Sequence, residues 1–219
     1  MGLLTLDTIG LQTLAVWQTT ETEQDIHSAW KDTAMRYEIP ESITHPHRRA
    51  QWLASRVLLH HLHPNEKVVY DENGKPWLSV PHRHISFSHT AEYIALLSSP
   101  EPCGIDIEIV SPKVERIAHK FLKPDEADTA LRGVNPETLY VYWCAKEALY
   151  KVYGHKGVSL KDNITVQPFI YSEGGGKITA VLHHENITFE KTIHYVRHHT
   201  YMMAYTLPAA ECDTNSETC

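Results

Sequence analysis

The chain has no apolar run approaching the ~20 residues a membrane-spanning helix needs. Its start, Met1 to Gly10, lacks a basic region followed by an apolar segment and a small-residue cleavage site. Both absences lead to the expectation of a cytoplasmic protein with no membrane partner. Cysteine is scarce: Cys103, Cys144, Cys212 and Cys219 show no CxxC spacing, and two of them lie in a polar tail. A disulfide framework and a zinc ribbon are therefore not expected, and a reducing compartment fits. Positive charge is in deficit, with 20 Lys and Arg against 27 Asp and Glu and a formal net charge of −7. A general nucleic-acid binder needs a basic excess for its phosphate contacts, so that class is not expected either. The 16 histidines form neither HExxH nor a Cys/His zinc pattern. Clusters such as His60-His61-x-His63 and His82-x-His84 read as surface residues. What remains is the composition of an ordinary globule, and its 219 residues can form one large domain or two small lobes.

Against this background two segments stand out, Gly104-Ile105-Asp106-Ile107-Glu108 and, later, Trp143-Cys144-Ala145-Lys146-Glu147-Ala148-Leu149-Tyr150-Lys151. In a strand successive side chains alternate faces, so Asp106 and Glu108 share one face while Ile105, Ile107 and Ile109 share the other. In a helix residues four apart share a stripe, which places Glu147 one turn from Lys151. Three carboxylates brought together repel one another unless a cation lies between them. Oxygen ligands without imidazole or thiolate favour Mg²⁺, with Mn²⁺ as the alternative, and Mg²⁺ leaves positions for water and a substrate phosphate. The neighbouring lysines would meet that phosphate's charge.

Periodicity places the rest. A strand begins within Thr5 to Gln18, and Thr22 to Ala34 reads as one helix entered through Thr20 or Thr22. Pro46 to His63 carries Ala50, Leu53, Val57, Leu58 and His61 at helical spacing. Val68 to Tyr70 and Trp77 to Val80 form a hairpin around Asn73-Gly74, and Ile85 to Ser88 and Tyr93 to Ser98 are strands. Pro100 and Pro102 mark a lobe boundary, giving lobes 1–100 and 101–208. Helices follow over Lys113 to Phe121, Pro124 to Arg132 and Pro136 to Tyr153. In the last of these, Tyr142, Ala145, Leu149 and Val152 form the apolar stripe, leaving Glu147 and Lys151 off the core. Strands then run over Ile164 to Gln167, Lys177 to His183, Ile187 to His194 and Tyr201 to Leu207, and residues 209–219 read as a disordered tail.

The two main segments resemble the signature motifs of the 4′-phosphopantetheinyl transferase superfamily, of its larger, two-lobed surfactin-synthetase-activating type. Gly74-Lys75-Pro76 resembles that family's GKP segment, Ile85-Ser86-Phe87-Ser88-His89-Thr90 its (N)xSH(S/T) segment, and Ile117 to Glu126 the helix and turn between its main motifs. Together these similarities span roughly residues 45 to 170. The resemblance implies an α+β fold of two pseudo-twofold-related lobes, each with a small antiparallel sheet packed by helices, and an active site in the cleft between them. It implies transfer of the phosphopantetheine arm of coenzyme A to a serine of an apo acyl or peptidyl carrier protein by a monomeric enzyme.

On the same ground Asp106, Glu108 and Glu147 take the metal-ligand positions. Glu147, or a water it orients, takes the role of base. Lys151 takes the coenzyme phosphates, with Lys146 as an assistant. Ser88 and His89 also match phosphate contacts, Arg56 matches the 3′-phosphate arginine with Arg48 or Arg49 sharing that duty, and Gly74 and Lys75 lie beside the adenine. Cys144 stands where serine or threonine is common, at a position expected to lie off the catalytic stripe, and Trp77 replaces a more usual tyrosine. Arg116, Lys120 and Lys123 are candidates for a basic face toward an acidic carrier. A phosphohydrolase would need a DxD nucleophile string, which is absent. A degenerate coenzyme A or carrier-binding module is the alternative.

Overall fold

The computed structural model describes residues 2–35, 37–79, 83–132 and 135–208. The expected disordered tail, 209–219, and the end of the expected strand at Val80 lie outside the described residues.

The chain opens with a hairpin, β1 (Leu3–Ile9) and β2 (Gln12–Gln18), whose turn places Gly10 at a φ of 58°. Where one strand start was expected, there are two paired strands, because a left-handed glycine lets the chain reverse within two residues. The expected helix from Thr22 to Ala34 is two helices, α1 (Glu23–Ala29) and α2 (Lys31–Ala34). Thr22 and Asp25 close a capping box at the start of α1. The break falls at Trp30, whose backbone leaves the helical region at φ −125° and ψ 38°. Its ring meets Trp17 of β2 edge-on at 6.0 Å, so packing against the sheet overrides the local helical pattern.

The long helix α3 (Pro46–Leu62) then lays Leu53, Ala54, Val57 and Leu58 on the sheet. That sheet is completed by β3 (Val68–Tyr70), β4 (Pro76–Leu78), β5 (His84–Thr90) and β6 (Tyr93–Ser99), in the order β1-β2-β6-β5-β4-β3. The second half repeats the plan. Strand β7 (Ile105–Ile109) precedes α4 (Lys113–Phe121), α5 (Pro124–Arg132) and α6 (Pro136–Tyr153). Then come β8 (Ile164–Val166), β9 (Gly176–His184), β10 (Ile187–Arg197) and β11 (Tyr201–Thr206), in an antiparallel sheet of order β7-β11-β10-β9-β8. Helices and antiparallel sheets are thus segregated in each half, and the fold is α+β.

The two sheets pack face to face. Leu14 and Val16 of β2 and Tyr93, Ala95 and Leu97 of β6 meet Ile105 and Ile107 of β7 and Tyr201, Met203 and Tyr205 of β11. Their sequence neighbours Ala15, Trp17, Ile94 and Leu96 face the helices of their own half. β2 and β6 are therefore apolar on both faces, which is why their sequences run without polar alternation. The strand β7 behaves as its alternation requires: Ile105 and Ile107 are fully buried between the sheets, and burying each contributes about 1.5–3 kcal/mol. Asp106 and Glu108 point the other way, toward α6.

Two glycines fix that approach. At Gly104 an added Cβ would lie 1.9 Å from the Ala148 carbonyl oxygen, so only glycine lets the start of β7 pass this close to α6. Gly154 ends α6 in the left-handed conformation at φ 75°, its amide bonded to the Tyr150 carbonyl.

Candidate active site at the seam of the two sheets

Asp106 is the buried centre of the site. Its Oδ1 accepts hydrogen bonds from Ser88 Oγ of β5 at 2.8 Å and from Lys151 Nζ of α6 at 2.9 Å, so one carboxylate oxygen joins three elements. Lys151 also donates to the Ile105 carbonyl at 2.7 Å, which fixes the ammonium over the strand. Asp106 Oδ2 is buried and has no hydrogen-bond partner among the described residues. Leaving a buried charged acceptor unmet costs upward of about 1–3 kcal/mol, so such an atom calls for a cationic or donor partner.

Glu108 lies one pleat along and accepts from Thr90 Oγ1 at 3.1 Å. Burial first, and then the charge on Asp106, push its carboxyl above the usual carboxylate range, while hydrogen bonds from Thr90 and Trp143 act in the opposite sense. Glu147 of α6 faces the same place. Burial, followed by the charge on Asp106, raises its carboxyl to about 7, with Lys151 partly compensating. The three carboxylates thus sense one another electrostatically, as the alternation of β7 and the stripe of α6 require. Among the described residues no three His, Cys, Asp or Glu side chains stand in a ready-made metal-ligating cluster. The orphaned oxygen of Asp106 and the mutual repulsion of three hard oxygen donors nonetheless fit a divalent cation.

A cleft of about 700 Å³ opens beside these carboxylates, between α3 and β5 on one side and the end of α6 on the other. Asp106, Glu108 and Glu147 are not among its lining residues; Ser88 and Lys151 line it, and both hold Asp106. Arg48 and His89 line it as well, and Arg48 Nη1 donates to His89 Nε2 at 2.5 Å. Arginine only donates, so His89 is neutral with its proton on Nδ1. Enclosure by the cleft and the positive charges of Arg48 and Lys151 hold its pKa below the ordinary imidazole value.

Arg56 is not on solvated helix surface. It is buried with its guanidinium 4.7 Å from the Trp52 ring centroid and 5.2 Å from that of Phe87, and it donates to the Tyr70 hydroxyl. Aromatic faces stabilise a guanidinium without occupying all its donors, leaving it able to meet an anion in the cleft. Gly74 and Lys75 also line the cleft, at the β3–β4 turn. The Lys75 ammonium, however, donates to the Val152 carbonyl at the end of α6, where a cation suits both the unpaired carbonyls and the helix dipole. Asn73 Nδ2 lies 3.0 Å from His155 Nδ1, a second tie between this turn and the residues after α6.

Two sequence-based assignments need correction. Arg49 does not reach the cleft: its guanidinium forms a two-pronged pair with Glu23 of α1 at 2.6 and 2.8 Å and donates to the Ile43 carbonyl. Lys146 points into the core of the carboxyl-terminal half. It is fully buried and donates to Glu126 at 2.6 Å and to the carbonyls of Phe121, Leu160 and Ile164. One residue of register on α6 separates it from Glu147, and 100° of helical turn sends the two side chains to different environments. Lys146→Met is expected to cost about 3–5 kcal/mol, because it strands the buried Glu126 carboxylate. Denaturant melts of Lys146→Met and of Lys146→Met/Glu126→Gln check this, the double variant recovering part of the loss.

Cys144 is also closer to the chemistry than expected. It is fully buried, its thiol pKa is raised by burial and then by the charges of Asp106 and Glu108, and its Sγ donates to the Met202 carbonyl at 3.8 Å. Thr90, Ser86, Trp143 and Tyr70 were not singled out from sequence. For the first two a signal was present, the hydroxyls at alternate positions Ser86, Ser88 and Thr90, which a strand places on one face.

An α+β protein with carboxylates, a lysine and an arginine-lined cleft at the seam of its sheets is thus defined, and comparison with known proteins gives the class a name. Residues 102–206 match the family model described as "4'-phosphopantetheinyl transferase superfamily", so the chain is similar to that superfamily over this stretch. Among its relatives, a 4′-phosphopantetheinyl transferase of Bacillus subtilis is 37% identical over 93 residues, 41% of each chain. The 4′-phosphopantetheinyl transferase psf-1 of Bacillus pumilus is 31% identical over 112 residues, 48% of each chain. The 4′-phosphopantetheinyl transferase AcpT of Escherichia coli (strain K12) is 34% identical over 116 residues, 49% of this chain and 59% of that protein. The chain therefore aligns over about half the length of these relatives. Among the described residues no helix is long and apolar enough to cross a membrane.

Proposed function

We propose that this protein transfers the 4′-phosphopantetheine arm of coenzyme A to a serine hydroxyl of an apo acyl or peptidyl carrier protein; its relatives are named 4′-phosphopantetheinyl transferases. It acts as a cytoplasmic monomer of two lobes, residues 1–100 and 101–208. The observation that carries the reading is Asp106: a buried carboxylate with one oxygen held by Ser88 and Lys151, which line a cleft that also carries Arg48 and Arg56, and the other oxygen unpartnered among the described residues.

Asp106, Glu108 and Glu147 would hold Mg²⁺, or Mn²⁺ in its place. The ion would neutralise charge on the pyrophosphate and polarise its phosphoryl oxygens. In the reaction the carrier serine oxygen forms a bond to the β-phosphorus of coenzyme A. The bond from that phosphorus to the bridging oxygen breaks, and adenosine 3′,5′-bisphosphate leaves. Glu147, or a water it orients, takes the serine proton. Lys151 holds Asp106 and presents its ammonium to the phosphates, and Ser88 orients Asp106 while lining the cleft. Arg48 and neutral His89 contribute donors along the coenzyme's phosphate path, and Arg56 meets the 3′-phosphate. Gly74 lets the turn approach the adenine closely, at a φ of 85°. For the carrier, Arg116 and Lys120 form an exposed basic pair on α4, whereas Lys123 is half-buried and donates to Thr165.

Release of adenosine 3′,5′-bisphosphate from coenzyme A, followed chromatographically, tests the reaction: it should require both an apo carrier and divalent metal, and release without a carrier would contradict the reading. Arg56→Ala is expected to raise the KM for coenzyme A about tenfold, the scale of a lost charge-assisted hydrogen bond to phosphate. The KM for 3′-dephospho-coenzyme A should change little, and equal effects on both would remove Arg56 from the 3′-phosphate.

A further inference from the structure

We infer that Thr90 is a positioning residue, its hydroxyl holding Glu108 in the orientation a divalent cation needs. This inference rests on the metal-dependent reading of the preceding subsection.

The starting point is the free edge of β7. One edge pairs with β11, with Asp106 opposite Ala204 and Glu108 opposite Met202. Among the described residues the other edge has no strand partner and is met instead by hydroxyls of β5, which belongs to the other sheet. Ile105 N donates to Ser86 Oγ at 3.1 Å, and Ile107 N donates to Ser88 Oγ at 3.3 Å. Ser88 Oγ passes its own proton to Asp106, and Thr90 Oγ1 passes its proton to Glu108 Oε2 at 3.1 Å. Alternate residues of one strand thus set first the backbone of the carboxylate strand and then its two acidic side chains.

Thr90 is itself held in place from several directions. It is the last residue of β5, paired with Tyr93 across a two-residue turn. In that turn Ala91 sits at a φ of 41°, a left-handed conformation that a residue other than glycine keeps only when its surroundings over-determine it. The surroundings here are visible: the Gln51 side-chain amide of α3 donates to the Ala91 carbonyl, and Thr19 N donates to the Glu92 carbonyl at 2.6 Å. A strained, clamped turn therefore carries the hydroxyl that meets Glu108.

Glu108 needs this help more than Asp106 does. It is longer, with one more rotatable bond, and only half-buried. A donor with one proton aimed at one carboxylate oxygen selects a rotamer. Thr90 is not among the residues lining the coenzyme cleft, so its effect should appear in metal binding and not in coenzyme binding.

The test is Thr90→Val, which exchanges the hydroxyl for a methyl group, beside Thr90→Ser, which keeps the hydroxyl. Mn²⁺ affinity is read by electron paramagnetic resonance titration of the protein without substrates, and the Mg²⁺ dependence and coenzyme KM are read in the transfer assay. Thr90→Val should weaken Mn²⁺ binding and raise the half-saturating Mg²⁺ concentration about tenfold, the lower end of what a lost outer-shell partner of a metal ligand costs. Thr90→Ser should stay near wild type, and the coenzyme KM at saturating metal should stay within about twofold. Wild-type Mn²⁺ affinity in Thr90→Val would overturn the inference alone, and so would an equal loss in Thr90→Ser, which would show that the methyl group is what matters. Absence of Mn²⁺ binding by the wild-type protein would overturn the metal reading itself together with this inference.

Discussion

Asp106→Asn is expected to reduce phosphopantetheine transfer by roughly 10³-fold or more, the several kcal/mol a catalytic divalent ion supplies at about 1.4 kcal/mol per tenfold. Asparagine keeps the size of the side chain and one oxygen, so Ser88 and Lys151 retain an acceptor in place of Oδ1. What it removes is the anionic Oδ2, which has no partner among the described residues and which an amide nitrogen cannot replace as a ligand. The fold should persist, since Ile105 and Ile107 on the opposite face of β7 are untouched. Circular dichroism and a thermal melt establish this, and a steady-state transfer assay with excess Mg²⁺ measures the loss. Asp106→Ala should also abolish transfer, but it leaves the Ser88 and Lys151 donors without their acceptor and so mixes stability with chemistry.

Glu147→Gln is expected to abolish transfer and, in the absence of metal, to stabilise the protein above neutral pH. The sign follows from linkage. Folding raises the Glu147 carboxyl from its ordinary 4.5 to about 7, chiefly by burial and then by Asp106. Below the unfolded value both states are protonated and the group contributes nothing to the pH dependence. Between about 4.5 and 7 the folded state holds the proton more tightly, so stability falls as pH rises through this window. Above about 7 the full penalty is present, at most on the order of 3 kcal/mol. Glutamine stays neutral at every pH and avoids that penalty. At pH 8 the variant should therefore melt several degrees above metal-free wild type, and the difference should vanish near pH 4. Adding Mg²⁺ should reverse the order, because a cation that binds only the folded wild-type site raises its melting temperature by mass action. A variant no more stable than wild type at pH 8 would show that Glu147 is already ionised and compensated without metal.

Local rules made the parts of this protein legible and long-range contacts made the rest opaque. The alternation of Ile105, Asp106, Ile107, Glu108 and Ile109 correctly put the isoleucines on the core face, opposite the carboxylates, because a strand's period is fixed by its backbone. The stripe of α6 put Tyr142, Ala145 and Leu149 in the core for the same reason. What neighbouring residues could not show was where a cation ends up. Arg49 is claimed by Glu23 and Lys146 by Glu126, each some 20 or more positions away, and nothing in the helical spacing distinguishes Lys146 from a surface lysine. Nothing in the helical spacing separates Arg56 from Arg48 and Arg49; its burial depends on Phe87 from the sheet and Tyr70 from the hairpin. The break at Trp30 depended on a ring from β2. The Ser88–Asp106 contact arises only because the two sheets pack on each other, an arrangement that the periodicity of either segment alone does not encode.

The central claim is that the Asp106 site moves a phosphopantetheine arm onto a carrier. Intact-mass spectrometry of an apo acyl carrier protein and an apo peptidyl carrier domain, each incubated with this protein, coenzyme A and Mg²⁺, tests it most directly. The account predicts a mass gain of one phosphopantetheine on at least one carrier, lost when the metal is chelated and lost with Asp106→Asn. Unchanged masses on both carriers, with coenzyme A bound in the cleft, would contradict it and leave a coenzyme-binding protein without transferase activity.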